Sequence, residues 1–347
     1  MTSQHARTNA RRRMTSRAFT LIEMLTVIGI LAILIAIIIP SINGARNAAR
    51  KTDTRTQMTS VTQAVAAFQI DNRRLPGYFS PRQMGSIGNS TAGFTTMDNM
   101  LIDLLGGITT QATNGTTIID VGWDSAATGG LVRIDKDTMG STKQSSTGAI
   151  SKSYMPFDQK RFVVQSAPGA RFNTTVPGNV SFPSLVDSFG QPILAWVGDD
   201  APSAGTFSHI DASAAAPNGA RFYQVQNAGF LNATALGKAK QDQRSDVTNK
   251  LGSALCLIAA PSGPAVSTVN VQDTLAALLG NASVPDPALA NRPLAPRAPL
   301  VLHSAGLDGT YVGLRDKGAR SGSVQYAPNA DPFGGGLFDD IIVSGGN

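Results

Sequence analysis

The chain has 347 residues, a length that suits one large domain or about two ordinary ones. Its formal charge is +6, from 29 Lys plus Arg against 23 Asp plus Glu, which taken alone suggests a nucleic-acid or membrane-surface binder. The placement argues against a binding surface: Arg7, Arg11, Arg12, Arg13 and Arg17 fall in the first eighteen residues with no acid among them, and without these five the balance is 24 to 23.

Of the acids, 22 are Asp, and Glu23 is the only Glu. A helical soluble protein normally uses Glu freely, because it is the better helix former. With 35 Gly and 19 Pro, the body reads as loop-rich and β-containing. Cys256 is the only cysteine, so neither an intrachain disulfide nor an all-Cys metal site can form. It sits in the apolar run Leu255-Cys256-Leu257-Ile258 and reads as a buried, inert thiol.

The first element follows the basic leader of residues 1–18. Residues 19–39 read FTLIEMLTVIGILAILIAIII, apolar except for Thr20, Glu23, Thr26 and Gly29. As a helix this run spans about 30 Å, enough to cross a bilayer core. The basic flank should stay in the cytoplasm and send the rest of the chain outward. A secretory signal peptide would have a shorter apolar region, about 7–15 residues, and a small-residue cleavage site behind it. Residues 40–45 make a poor one. Glu23 is the anomaly, since a carboxylate in an apolar span costs on the order of 2.5–3.5 kcal/mol and usually has a partner or a task.

The stretch Ala18-Phe19-Thr20-Leu21-Ile22-Glu23-Met24-Leu25 resembles the prepilin signature of type IV pilins and of type II secretion pseudopilins, with Ala18 where Gly is usual. The resemblance implies cleavage by prepilin peptidase between Ala18 and Phe19 and methylation of the new Phe19 amino group. It also implies an assembly role for Glu23, pairing with the Phe19 ammonium of a neighbouring subunit, and a helix kink at Pro40. The partners it implies are prepilin peptidase, other pilin-like subunits, an inner-membrane secretion assembly platform, and membrane lipid before assembly. No nucleic acid is expected.

The helix is predicted to continue past Pro40, because Ile42, Ala45, Ala49, Thr52, Met58, Val61, Val65 and Phe68 recur at three- and four-residue steps. Asp71-Asn72-Arg73-Arg74-Leu75-Pro76-Gly77 then stops it: the residue before a proline avoids helical backbone, and Pro-Gly is a turn signal. A similar stop ends the long helix of major pseudopilins, with an aromatic residue where Leu75 stands.

Further along, Met97, Met100, Leu101, Leu104 and Leu105 predict a short helix ending at Gly106, and Val271, Leu275, Leu278 and Leu279 another ending at Gly280. Both stripes read as core-packing faces. Short strands are predicted at residues 161–165, 193–197, 221–225, 299–302 and 341–343, forming an antiparallel sheet against the second half of the long helix. Residues 285–299, with five prolines, read as an extended connector. Residues 76–185 carry little pattern otherwise.

Two more segments extend the resemblance to the major pseudopilins. Asp187-Ser188-Phe189-Gly190-Gln191-Pro192-Ile193 is similar to an element that opens one of their strands. Residues 301–309, VLHSAGLDG, together with Phe338-Asp339-Asp340-Ile341, are similar to their C-terminal calcium-binding loop. This implies Ca²⁺ held by Ser304, Asp308, Asp339 and Asp340, a donor set of the right chemistry for an ion that takes 6–8 oxygens. Residues 310–337 stand between the two halves of that loop.

Catalytic candidates are few. His5 lies in the leader, and His209 and His303 are lone histidines without partners of triad or metal spacing. The chain has no nucleophile elbow, P-loop or zinc-type cluster. Asp135-Lys136-Asp137 and Asp199-Asp200 read as solvated loop charges. The expectation is therefore a structural protein and not an enzyme. Its fold is α+β and pilin-like: a leader at 1–18, a transmembrane half-helix at 19–40, a soluble half-helix at 41–72, and a globular head at 73–347 with an antiparallel sheet and short helices. Expected function is that of a subunit of a type II secretion pseudopilus or related filament. It would sit in the inner membrane as a single span, N-terminus cytoplasmic and head periplasmic. The alternatives are a membrane-anchored periplasmic binding module and a minor pilin for adhesion or DNA uptake.

Overall fold

A computed structural model describes residues 20–84, 94–122, 130–141, 152–158, 161–163, 179, 181–197, 227, 297–307, 311 and 340–345; at 37, 40, 41, 81 and 82 it describes the backbone only. The helices are α1 (Leu21–Asn72), α2 (Pro81–Met84) and α3 (Thr96–Leu105). The strands are β1 (Ile118–Gly122), β2 (Leu131–Asp135), β3 (Phe162–Val163), β4 (Ser184–Leu185), β5 (Leu194–Val197), β6 (Leu300–Ser304) and β7 (Ile341–Gly345). The architecture is α+β, a long N-terminal helix followed by short helices and small antiparallel sheets. By internal contacts the chain divides into Met1–Ala49 and Arg50–Asn347.

Within the second unit, α1 presents one face to a core. Thr54, Gln57, Met58, Val61, Ala64, Val65 and Phe68 are buried on it. These positions follow the i, i+3, i+4, i+7 rule of an amphipathic helix. Thr52, expected on this face, is exposed, and Thr54 and Gln57 take its place. Gln57 can be buried because its Nε2 donates to the Val186 carbonyl at 2.8 Å.

The helix ends at Asn72, within the stretch expected to stop it, where Arg73 turns left-handed with φ 53°. Polar side chains hold this end. Asp71 accepts from Lys152 Nζ and the Tyr154 hydroxyl, both at 2.9 Å, and Asn72 Nδ2 donates to the Tyr154 oxygen at 3.0 Å. The Lys152 ammonium, then the Tyr154 hydroxyl, hold the Asp71 carboxyl below the usual carboxylate range.

Helix α3 is the centre of the head. Its sequence predicts one apolar stripe, yet all ten residues are buried. Asp98, Asn99 and Asp103 are tolerated because each is bonded, while the Thr96 hydroxyl has no partner among the described residues. Thr95 and Asp98 form a capping box, with the Asp98 amide donating to Thr95 Oγ1 and the Thr95 amide donating to Asp98 Oδ2, both at 3.0 Å. The Asn99 side chain pairs with both backbone groups of Phe79 at 2.8 Å. Asp103 accepts from the Gly77 amide and from Arg74, each at 2.7 Å, so the Pro-Gly turn that stops α1 is tied to α3.

Among the described residues the strands form not one sheet, as predicted, but three: β1–β2, β3–β4, and β5–β6–β7, all antiparallel. Hairpin β1–β2 falls in the stretch read as patternless, where Val132 and Ile134 point inward and Arg133 outward. Asp135 is not a solvated loop charge. It ends β2 buried, its amide donating to the Gly107 carbonyl at 2.8 Å and its Oδ1 accepting from the Asp137 amide. The predicted strands at 161–165, 193–197, 299–302 and 341–343 appear as β3, β5, β6 and β7 with shifted ends. The strand at 221–225, the helix at 271–279, residues 199–200, His5, His209, Cys256 and residues 285–296 lie outside the described residues. β7 seats closely on α1: a Cβ added at Gly345 would come within 2.6 Å of Thr62 Cγ2.

Candidate functional site

The N-terminus of α1 begins as a capped helix. Thr20 is the cap and Glu23 stands three residues on, the spacing of a capping box. Glu23 Oε2 accepts from the Thr20 amide at 2.8 Å and from Thr20 Oγ1 at 2.7 Å, and the Glu23 amide donates back to Thr20 Oγ1 at 3.3 Å. Thr26 Oγ1 donates to the Glu23 carbonyl at 2.9 Å, so both hydroxyls of the apolar run are used. The Thr20-x-x-Glu23 spacing was in the sequence, but the resemblance drew attention to Glu23 alone. Both Thr20 bonds fall on Oε2; among the described residues nothing bonds Oε1.

Every side chain from 21 to 36 is exposed, sixteen residues in a row, with Leu21 at 83% and Ile22 at 68%. An apolar helix surface of this size that its own chain leaves uncovered marks an interaction site. Among the described residues no helix is long and apolar enough to cross a membrane. The unbroken run of described side chains stops at Ala36, short of the ~20 residues a span needs, while Ile38 and Ile39 beyond it are again exposed and the sequence stays apolar through Ile39. α1 runs unbroken through Pro40. Ala18 and Phe19 lie outside the described residues.

In the head, the segment expected to open a strand forms a buried turn. Asp187 Oδ1 accepts from the amides of Phe189 at 2.9 Å and Gln191 at 2.8 Å, and Oδ2 accepts from Ser304 Oγ at 2.6 Å. Gly190, at φ 85°, closes the turn with its amide on the Asp187 carbonyl at 3.0 Å. The turn docks on α1 through Ser188, whose Oγ donates to Asp53 at 2.6 Å and whose amide donates to Thr54 Oγ1 at 3.2 Å. Beside it, His303 Nε2 meets Asp340 Oδ2 at 2.8 Å, with both side chains fully buried. Tyr311 packs edge-on against the imidazole at 5.3 Å, its hydroxyl donating to the Pro192 carbonyl. Burial pushes the His303 imidazole down to about 3. The neutral ring donating from Nε2 to Asp340 therefore fits the geometry.

Two of the four residues expected to hold calcium are described, and both have protein partners. Ser304 Oγ donates to Asp187 and accepts from the Gly306 amide at 3.2 Å, and Asp340 is held by His303. Asp308 and Asp339 lie outside the described residues. Among the described residues, no group of three His, Cys, Asp or Glu could hold a metal ion.

Residues 13–39 match the prokaryotic N-terminal methylation motif. This supports a type IV pilin-like family for the chain and implies processing by prepilin peptidase, membrane anchoring before assembly, and assembly with other pilin-like subunits. The motif is that of a structural substrate of the peptidase. No curated protein and no solved structure matches the chain.

Proposed function

We propose that the chain is a structural subunit of a type II secretion pseudopilus or closely related filament, assembled through the apolar part of α1. The observation that carries this is the uncovered apolar helix surface headed by a capped glutamate, within a matched methylation motif. Cleavage after Ala18 would leave a Phe19 ammonium one residue before the cap. Glu23 Oε2 is occupied by Thr20, which leaves Oε1 to receive the ammonium of a neighbouring subunit. In low dielectric such a pair sets register, because either charge left alone costs several kcal/mol. Lipid contact in the membrane is then exchanged for helix–helix contact in the filament, and the same apolar surface serves both states. Residues 73–347 are bulky for a densely packed filament, which favours a minor or tip position. Mass spectrometry of the mature N-terminus tests the reading: methylated Phe19 supports it, and an intact Met1 or a cut near Ala45 refutes it.

Calcium is a separate proposal, resting on the likeness of residues 301–309 and 338–341. An ion held by Ser304, Asp308, Asp339 and Asp340 would compete with Asp187 and His303 for two of its ligands. Melting is expected to shift upward with calcium and downward with chelator; identical melting curves remove the ion.

A further inference from the structure

The helix beyond the apolar run carries a cluster of cations that neither the motif nor the head accounts for. Arg46, Arg50, Lys51 and Arg55 follow Ile42, the last exposed large apolar side chain before them. Arg46, Arg50 and Arg55 are exposed and Lys51 is half-buried. None has an ion pair among the described residues. Asp53, the acid in their midst, is held by Ser188 at 2.6 Å and lies 3.9 Å from Arg161. Among the described residues, the cluster is therefore unneutralised.

We infer that Arg46, Arg50 and Lys51 bind the phosphate headgroups of anionic phospholipid in the leaflet facing the head, an inference that rests on the membrane-anchored reading above. Distance along the helix selects these three. At 1.5 Å per residue, Arg46, Arg50 and Lys51 follow Ile42 by about 6, 12 and 14 Å. The headgroup region beyond the hydrocarbon core is roughly 5–8 Å deep on each side. Arg46 falls within it. Arg50 and Lys51 reach back to it, because helical side chains lean toward the helix N-terminus and long cationic ones snorkel to the phosphates. Arg55, about 20 Å on, is beyond reach. A second copy of the chain is the weaker occupant. The described acids are largely spent at home: Asp71 on Lys152, Asp103 on Arg74, Asp120 on Arg133 and Asp158 on Arg161.

The test reconstitutes the full-length chain in vesicles of phosphatidylcholine mixed equally with phosphatidylglycerol. It reads the immobilised fraction of spin-labelled forms of each lipid. Phosphatidylglycerol should be favoured, with association weakening about five-fold for each charge removed at low salt in Arg46→Gln, Arg50→Gln and Lys51→Gln, and little for Arg55→Gln. High salt should erase the preference. Equal association of both lipids by a chain that resists alkaline extraction overturns the inference and leaves the anchored reading intact. Ready extraction overturns the anchored reading itself. A preference that survives the triple substitution overturns the assignment to these residues. Self-association that the substitutions abolish, with equal lipid association, overturns it in favour of a second copy.

Discussion

Glu23→Gln is expected to give a chain that inserts and is cleaved but does not assemble. Gln has nearly the shape of Glu, and its amide oxygen can still accept from the Thr20 amide and hydroxyl, so the helix start survives. Insertion becomes easier, because a charge that costs on the order of 2.5–3.5 kcal/mol in an apolar span is removed. Assembly is where the loss falls. A Phe19 ammonium brought against a neighbour's helix would meet a neutral group, and an uncompensated charge in that setting costs about 3–5 kcal/mol per subunit contact. Membrane fractionation and filament shearing together check this: Glu23→Gln should be found in membrane and missing from filaments. Filaments formed at the normal yield by that variant would remove the pairing argument. Thr20→Val serves as a control, since it breaks the cap and keeps the charge.

The largest loss of stability is expected at Asp187. Asp187→Ala leaves the amides of Phe189 and Gln191 and the Ser304 hydroxyl without their buried acceptor. Each orphaned donor costs about 1–3 kcal/mol, and a total of about 3–5 kcal/mol is expected after local relaxation. For a chain of this size the melting temperature should fall by on the order of 10 °C. Asp187→Asn should cost much less. Its oxygen can serve the two amides, and its nitrogen can donate to Ser304 Oγ with the bond direction reversed. Thermal melting followed by circular dichroism separates the two variants. Equal melting of Asp187→Ala and the parent chain would show that the turn does not hold the head together.

Much of α1 was legible from sequence because its determinants are local. An apolar run of membrane length, a cap spacing of three residues and a three-and-four period each follow from backbone geometry and nearest neighbours. The stop at residues 71–77 was legible for the same reason, through Pro76 and Gly77. Helix α3 was legible in extent, since its stripe and Gly106 bracket it. Its burial on every side was not, because Asp98, Asn99 and Asp103 look solvent-facing until Thr95, Phe79 and Arg74 are seen to satisfy them. Hairpin β1–β2 was missed although Leu131-Val132-Arg133-Ile134 alternates. Its two strands are joined by eight residues, without the two-residue turn that announces a hairpin.

In the head, the residues that sequence reading singled out were placed by resemblance, and tertiary structure gave two of them different neighbours. Ser304 and Asp340 were grouped as ligands of one ion. The fold gives Ser304 to Asp187 across 117 positions and Asp340 to His303 across 37. His303, set aside as a lone histidine, is half of a fully buried pair. The sequence by itself thus determined the long apolar helix and the charge that heads it, because periodicity, capping and hydropathy act within a few residues. Only the tertiary structure decided which polar groups the head buries together. Pairs so far apart in the chain are selected by the gain from pairing polar groups that are taken out of water, a condition of the packed whole that no local pattern records.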